Sequence, residues 1–155
     1  MPSTNHHGVD LNVVADVRRA FERYEQALRE HDIERLNDFF LPSADTVRFG
    51  ISEQNYGIDA IRTYRRSSAA VHPQRRLQHT VILALSDEIA CVSTEFTDPV
   101  TAGVGRQSQT WVRTGEGWKI AMAHVSLPAP PLGRRSLQGA PDPTATEGRA
   151  RPAKL

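Results

Sequence analysis

Apolar residues near the start of the chain recur at intervals of three and four positions. They are Leu11, Val14, Val17, Phe21, Tyr24 and Leu28. This spacing is typical of an amphipathic helix, which we expect to run from a cap at Asp10 to about Glu30. A short second helix is predicted after the cap residue Asp32, and Pro42 should end it. A third helix is predicted over residues 58 to about 70.

The remaining apolar pattern is that of extended strands. A short strand is predicted at residues 46–50, followed by an irregular or extended piece at 52–57. Four longer strands are predicted at residues 77–85, 89–97, 107–113 and 118–126. Helices followed by an antiparallel meander define an α+β fold. A curved sheet with the first helix laid across it would form a cone, and the open end of a cone is a natural pocket.

The length and the local composition indicate one domain with two tails. The chain has 155 residues, of which residues 1–9 are polar and predicted to be flexible, and 10–127 should form the domain. Residues 128–155 hold six of the ten prolines and no aromatic residue. Such a segment buries too little apolar surface to offset the entropy of ordering, so we predict a disordered tail. Truncation after Leu127 should therefore shift the melting temperature by only a few degrees.

The charge balance argues against a nucleic-acid partner. The net charge is +1, from 19 basic and 18 acidic residues. Five basic and two acidic residues lie in the tail, so the predicted domain has no basic excess. No apolar run is long enough for a membrane span, and the N-terminal residues lack the apolar stretch of a secretion signal. The single cysteine, Cys91, excludes an internal disulfide. We expect a cytoplasmic protein with no membrane partner.

The strand at 107–113 carries polar residues on both of its faces. Alternation puts Gln107, Gln109 and Trp111 on one face and Arg106, Ser108 and Thr110 on the other. On the last strand, alternation groups Trp118, Ile120, Met122, His124 and Ser126. One polar row facing a pocket would explain this pattern, and so would a half-exposed antiparallel sheet. The pattern does not decide which face is inward.

A few side chains are candidates for chemistry. His124 is either a proton donor or an ordinary core or surface residue, and it has no neighbour at metal-ligand spacing. Tyr24 lies on the buried stripe of the first helix, so its hydroxyl needs a partner, either structural or a ligand. Tyr56, before a turn into a helix, is placed to cover a pocket mouth.

Arginines form a second group of candidates. Arg48 lies between two apolar residues, so it is either exposed or buried with an anion. Its partner would then be Glu95, Asp45 or a bound carboxylate. The neighbouring arginines of the third predicted helix, Arg62, Arg65 and Arg66, are interpreted as a solvated face.

The sequence lacks the signatures of the common catalytic sites. It contains no nucleophile elbow, P-loop, dinucleotide fingerprint or zinc-hydrolase motif. A polar set of Tyr, Arg, Gln, Ser and His without a Ser-His-Asp arrangement suits anion binding and proton donation better than covalent catalysis.

Four segments resemble the AtzH-like proteins, which include HpxZ-like proteins of oxalurate catabolism within the NTF2-like and SnoaL-like superfamily. They are VRFG at 47–50, YGIDAIR at 56–62, GRQSQTWVR at 105–113 and GWKIAMAHVS at 117–126. The resemblance covers about residues 10–127. It implies an NTF2-like cone, a homodimer and no metal or organic cofactor. It also implies a decarboxylating amidohydrolase that acts on a small anionic substrate such as 1,3-dicarboxyurea in cyanuric acid breakdown.

Under this resemblance, the candidates take specific roles. Arg48 and Arg106 would hold carboxylates, Gln107 or Gln109 would bind the urea-like core, and Tyr24 or His124 would supply a proton. Further substrate-binding candidates are Tyr56, Trp111 and Ser126. The alternative is a non-catalytic binding or assembly partner of an amidase. An isomerase or dehydratase acting on an apolar substrate is disfavoured by the arginine and glutamine content.

Overall fold

The structure is a computed structural model that describes residues 11–129. The predicted cap at Asp10, the predicted flexible N-terminus and the predicted tail beyond residue 129 lie outside the described residues. The sequence-based domain boundaries at 10 and 127 therefore stay predictions.

Three helices form where the apolar periodicity predicts them. They are α1 (Leu11–Glu30), α2 (Ile33–Asp38) and α3 (Ile58–Ser67). Asp32 caps α2, because its carboxylate accepts a hydrogen bond from the backbone N–H of Arg35 at 3.1 Å. Helix α3 ends three residues before the predicted position 70, since Ser68 is extended and its hydroxyl donates to the carbonyl of Arg65 at 3.1 Å.

Six strands form one sheet. They are β1 (Val47–Phe49), β2 (Gln54–Tyr56), β3 (Arg76–Ala84), β4 (Ile89–Thr97), β5 (Gly105–Thr114) and β6 (Gly117–Ser126). Their order across the sheet is β2-β1-β6-β5-β4-β3, and every neighbouring pair is antiparallel except β1 with β6. The segment predicted to be irregular or extended at 52–57 is extended in part, and it contributes the edge strand β2.

Helix α1 packs across the inner face of this sheet. Its buried residues include Val17, Ala20, Phe21 and Ala27, which join the core with the fully buried Trp111 of β5. The long helix, two short helices and curved sheet are the cone that the sequence predicts. None of the helices within residues 11–129 has the length and apolarity required to cross a bilayer.

A β-bulge in β6 changes the predicted faces of that strand. Trp111 pairs with Ile120 and Thr110 pairs with Met122, so Ala121 is an extra residue opposite β5. The alternation reverses there, and after Ala121 it is Ala123 that is buried while Met122 is exposed. The expectation that residues 118, 120, 122, 124 and 126 share one face is therefore wrong.

Candidate functional site

A cavity of about 410 Å³ lies between α1, α3 and the inner face of the sheet. Three arginines from three separate parts of the chain line it. Arg48 comes from β1, Arg65 from α3, and Arg75 from the residue before β3. The other walls are largely apolar, as is usual for a small-molecule site with a few convergent polar groups.

Arg75 belongs to a closed triangle of buried side chains. It donates to Glu25 Oε2 at 2.5 Å and to Gln107 Oε1 at 3.0 Å, and Gln107 Nε2 donates to Glu25 Oε1 at 2.8 Å. The guanidinium also lies 4.5 Å from the ring centroid of Phe96. Glu25 is buried in α1, so the charge of Arg75 is neutralised within the protein. The triangle also fixes which end of the Gln107 amide is the oxygen.

Arg48 is neutralised by a different carboxylate. Its Nη1 donates to Glu53 Oε1 at 2.5 Å, and its guanidinium lies 4.5 Å from the ring centroid of Tyr64. Burial alone would raise the pKa of Glu53, but the hydrogen bond and the charge of Arg48, together with hydrogen bonds from Ser52 and Tyr64, outweigh burial and lower it. The expectation that Arg48 pairs with Glu95 or Asp45 is wrong, because Glu53 reaches it from the adjacent turn.

Arg65 has no carboxylate partner among the described residues. It is only 5% exposed, its Nη2 donates to the hydroxyl of Tyr24 at 3.1 Å, and its buried Nε makes no hydrogen bond. A buried guanidinium without a counter-ion is costly, and an anion in the cavity would remove that cost. The interpretation of Arg65 as part of a solvated face is wrong, although Arg62 and Arg66 on the same helix are exposed.

Tyr24 is positioned to donate a proton into the cavity. Its ring packs edge-on against Phe39, Phe40 and Trp111, with centroid distances of 5.7, 6.3 and 6.2 Å. Because its oxygen accepts from Arg65, the hydroxyl proton is available to another acceptor. The neighbouring aromatic rings hold the phenol in one orientation.

An acidic residue, Asp98, lies in the lining of the cavity. Burial would raise its pKa, but the hydroxyl and backbone N–H of Thr101, the backbone N–H of Val100 and the nearby His72 lower it overall. The carboxylate is bound to its own loop, at 2.7–2.9 Å from these donors of Thr101 and Val100. No salt bridge joins Asp98 to Arg65 in the described part of the chain, since the hydrogen bonds of this carboxylate are to Val100 and Thr101. Within residues 11–129, no three His, Cys, Asp or Glu side chains are grouped as a metal ion requires.

The AtzH-like family model matches residues 8–130, which include all the elements that line the cavity. The chain belongs to the AtzH-like family. A cystatin-like fold protein from Burkholderia xenovorans is 46% identical, with a TM-score of 0.75 over 78% of this chain and 95% of that one. A protein of unknown function from the DUF3225 family of Pectobacterium atrosepticum is 43% identical, with a TM-score of 0.75 over 77% and 94%.

More distant structures share the fold of this AtzH-like protein. An NTF2-like protein of unknown function from Pseudomonas putida is 21% identical, with a TM-score of 0.67 over 78% of this chain and 90% of that one. At this identity the likeness shows the fold alone, and the fold is the NTF2-like cone. No curated protein matches the chain.

Three of the candidate residues line the cavity of this AtzH-like protein: Tyr24, Arg48 and Gln107. Two others are buried beside it. The indole N–H of Trp111 donates to Gln109 Oε1 at 3.1 Å, and Gln109 Nε2 is buried with no hydrogen-bond partner. The inward face of β5 is therefore the one with the two glutamines.

The other four candidates do not line the cavity. Arg106 is exposed on the outer face of β5, where it donates to the carbonyl of Leu127 at 3.0 Å. His124, also exposed, packs at 5.9 Å against Phe49. Ser126 pairs with Arg106 across the sheet, and Tyr56 is 67% exposed on edge strand β2. The predictions that Arg106 binds the ligand and that His124 donates to it do not fit this cavity, because both residues lie on the outer face.

Four residues of the site were not assigned to it from the sequence: Glu25, Glu53, Arg65 and Arg75. Two of them had a detectable signal. Arg65 follows Ile58 and Ile61 at the spacing of the apolar stripe of α3, so it falls on the buried face. Glu25 lies four residues after the buried Phe21 on α1. A charged residue on a buried stripe is a candidate for a site.

Proposed function

We propose that this AtzH-like protein is a small-molecule enzyme that removes a carboxyl group from an N-carboxylated urea or a related ureido acid, in the catabolism of nitrogen heterocycles. The observation that carries the proposal is the buried guanidinium of Arg65 in the cavity, which has no carboxylate partner within residues 11–129. A carboxylate of the substrate would supply the missing counter-ion through charge-assisted hydrogen bonds. The shared family supports this class of substrate.

The proposed reaction breaks the bond between the carboxylate carbon and the urea nitrogen. The bonding electron pair stays on nitrogen, carbon dioxide leaves, and the nitrogen takes a proton from the hydroxyl of Tyr24. The tyrosine then recovers its proton from water. A positioned proton donor contributes typically about 10²- to 10⁴-fold to the rate of such a step.

Gln107 would orient the urea-like core. One amide N–H and the amide oxygen are held by Glu25 and Arg75, which leaves the second N–H to donate to the carbonyl oxygen of the substrate. Since these bonds exist before the ligand arrives, the donor is preorganised. Arg65 is the proposed anchor for the carboxylate, in place of Arg106.

Turnover by the purified protein tests this function. With 1,3-dicarboxyurea as substrate, we expect catalytic release of carbon dioxide, and Tyr24→Phe should lower kcat by about 10²-fold or more. Tyr56→Phe is the matched control, because Tyr56 lies outside the cavity. Binding of the substrate without turnover would contradict the enzymatic proposal and favour a non-catalytic partner of an amidase.

We also propose that two copies of this chain pair through the outer face of the sheet. Apolar side chains remain exposed there in the single chain: Val81, Leu83, Ile89 and Met122. They surround polar residues of β4 and β5, a composition typical of a protein–protein contact rather than a solvated face.

A further inference from the structure

Arg48 and Arg65 line the same cavity but differ in their counter-ions. Arg65 is open to an anion, whereas Arg48 is already in contact with Glu53. A ligand carboxylate that reaches Arg48 must therefore replace a carboxylate of the protein. We propose that Glu53 is a displaceable internal carboxylate that guards Arg48, so that Arg48 forms a second carboxylate subsite filled only by a ligand with two anionic groups. This inference rests on the proposed function in taking the cavity as an anion site.

The contact between Glu53 and Arg48 is weaker than an ideal arginine–carboxylate pair. Only Oε1 of Glu53 contacts the guanidinium, through Nη1 alone, so the bidentate geometry is not formed. The other oxygen accepts from the backbone N–H and hydroxyl of Ser52 at 3.2 and 3.3 Å. A ligand carboxylate that makes both bonds to Arg48 would exchange a single bond for two.

Glu53 also lies on a segment that can release it. Residues 50–53 connect β1 to β2 without regular structure, and the tip residue Ile51 is 58% exposed. The side chain of Glu53 is 22% exposed, against 9% for that of Arg48. Once displaced, the carboxylate can move outward into water, whereas the guanidinium stays at the cavity wall.

The absence of a side chain at Gly50 allows the Glu53 carboxylate to lie against Arg48. A Cβ atom at residue 50 would stand 1.6 Å from Glu53 Oε1, which is too close for two non-bonded atoms. The clash is with the end of a flexible side chain, and the backbone of Gly50 does not have a positive φ. Alanine at position 50 should therefore fold and push the Glu53 carboxylate away from Arg48 without changing the charge.

The guard would discriminate between a substrate with two carboxylates and a product with one. The doubly anionic molecule can bind Arg65 and compete with Glu53 for Arg48. After loss of one carboxyl group, the remaining anion keeps a single anchor, and Glu53 returns to Arg48. The exchange thereby weakens retention of the product, because the carboxylate of Glu53 takes the place of the departed one.

The test is the affinity of simple carboxylates measured by calorimetry. Malonate, succinate and glutarate cover a range of separations between two carboxylates, and acetate is the singly charged probe. Glu53→Gln should raise the affinity of the best-fitting dicarboxylate roughly 10- to 100-fold and that of acetate far less. Gly50→Ala should change the affinities in the same direction by a smaller factor. Glu88→Gln, which removes an equal charge on the distant exposed β3–β4 turn, should change neither.

Two outcomes would contradict the proposal that Glu53 is a displaceable carboxylate at Arg48. Glu53→Gln could leave the dicarboxylate affinity unchanged or lower it, which would make Glu53 a fixed support for Arg48. An equal rise for acetate and the dicarboxylates would show a general effect of charge and no second subsite. Neither outcome depends on turnover. Failure of the proposed function is recognised separately, as dicarboxylate binding without release of carbon dioxide from 1,3-dicarboxyurea.

Discussion

At the scale of single residues, the three arginines of the cavity show that burial and pairing are independent properties. Arg75 has the buried Glu25, and Arg48 has the partly exposed Glu53. Among the described residues, Arg65 contacts the neutral hydroxyl of Tyr24 and the ring of Phe40 but no carboxylate. Removing one member of a buried ion pair lowers the free energy of unfolding most when the other charge is left buried without a counter-ion. The three positions should therefore respond differently to the same substitution.

Replacement by methionine distinguishes a structural arginine from a ligand-binding one. Arg75→Met leaves the buried carboxylate of Glu25 without its counter-ion, so we expect a loss of about 3–5 kcal/mol in the free energy of unfolding. Arg65→Met removes an uncompensated charge, so it should leave the stability of the ligand-free protein unchanged or raise it. Urea denaturation of both variants measures the difference. A large loss for Arg65→Met would show that Arg65 is structural.

The pair of Glu53 and Arg48 should make stability depend on pH. The folded-state pKa of Glu53 is lowered from 4.5, so the folded protein binds fewer protons there than the unfolded chain. The stabilisation is present above pH 4.5 and is lost as the pH falls through the lowered pKa. Wild type should exceed Glu53→Gln by about 1 kcal/mol at pH 7, and the difference should disappear in acid. A constant difference in melting temperature down to pH 3 would contradict this linkage.

At the scale of elements, local periodicity was sufficient for most of the fold, but not for the faces of β6. The helices, the cap at Asp32 and the long strands follow from spacings of three to four or two residues. The bulge at Ala121 has no such signal, because both Ile120 and Ala123 are compatible with a buried position. As a result, His124 was predicted to act in the cavity, although it lies on the outer face of the sheet and the cavity lies on the inner face.

The residues of the candidate site were predictable only where helix or strand periodicity alone places the side chain on the inward face. Tyr24 and Gln107 stand at inward positions of a helix and a strand, so periodicity finds them. The partner of Arg48 is set by the turn that brings Glu53 back to it. Sequence spacing alone does not tell whether Asp45, Glu53 or Glu95 is that partner. The triangle of Glu25, Arg75 and Gln107 joins residues up to 82 positions apart, a relation that no local pattern contains.

The bulge itself is testable as an element. Deleting Ala121 would remove the extra residue and leave uninterrupted alternation, with Met122 still outward and Ala123 still inward along β6. We expect this variant, like Ala121→Ser, to keep a cooperative unfolding transition and the near-ultraviolet circular dichroism of the packed Trp111. With the bulge kept, inserting one alanine after Ala121 would turn Met122 inward and Ala123 outward, so that variant should lose both signals. A deletion variant without a cooperative transition would contradict the assignment of Ala121 as the extra residue.

At the scale of the whole molecule, the two faces of the sheet differ in what covers them. The inner face packs on α1 and forms the cavity, while the outer face exposes Leu83 at 43% and Met122 at 43%. We expect wild type to sediment as a dimer at micromolar concentration. Leu83→Glu should give a folded monomer, since a charge at a desolvated contact opposes pairing. A monomeric wild type would contradict the pairing of this face.

The central claim is that the buried guanidinium of Arg65, which meets no carboxylate in the part of the chain that the structure describes, makes the cavity an anion site. Its most direct test is one comparison of ligand affinity. Malonate is titrated into wild type, Arg65→Met and Arg62→Met, in which the last removes an exposed arginine of the same helix. The account predicts a roughly 10- to 100-fold weaker affinity for Arg65→Met and no change for Arg62→Met. Equal affinities for wild type and Arg65→Met would contradict it.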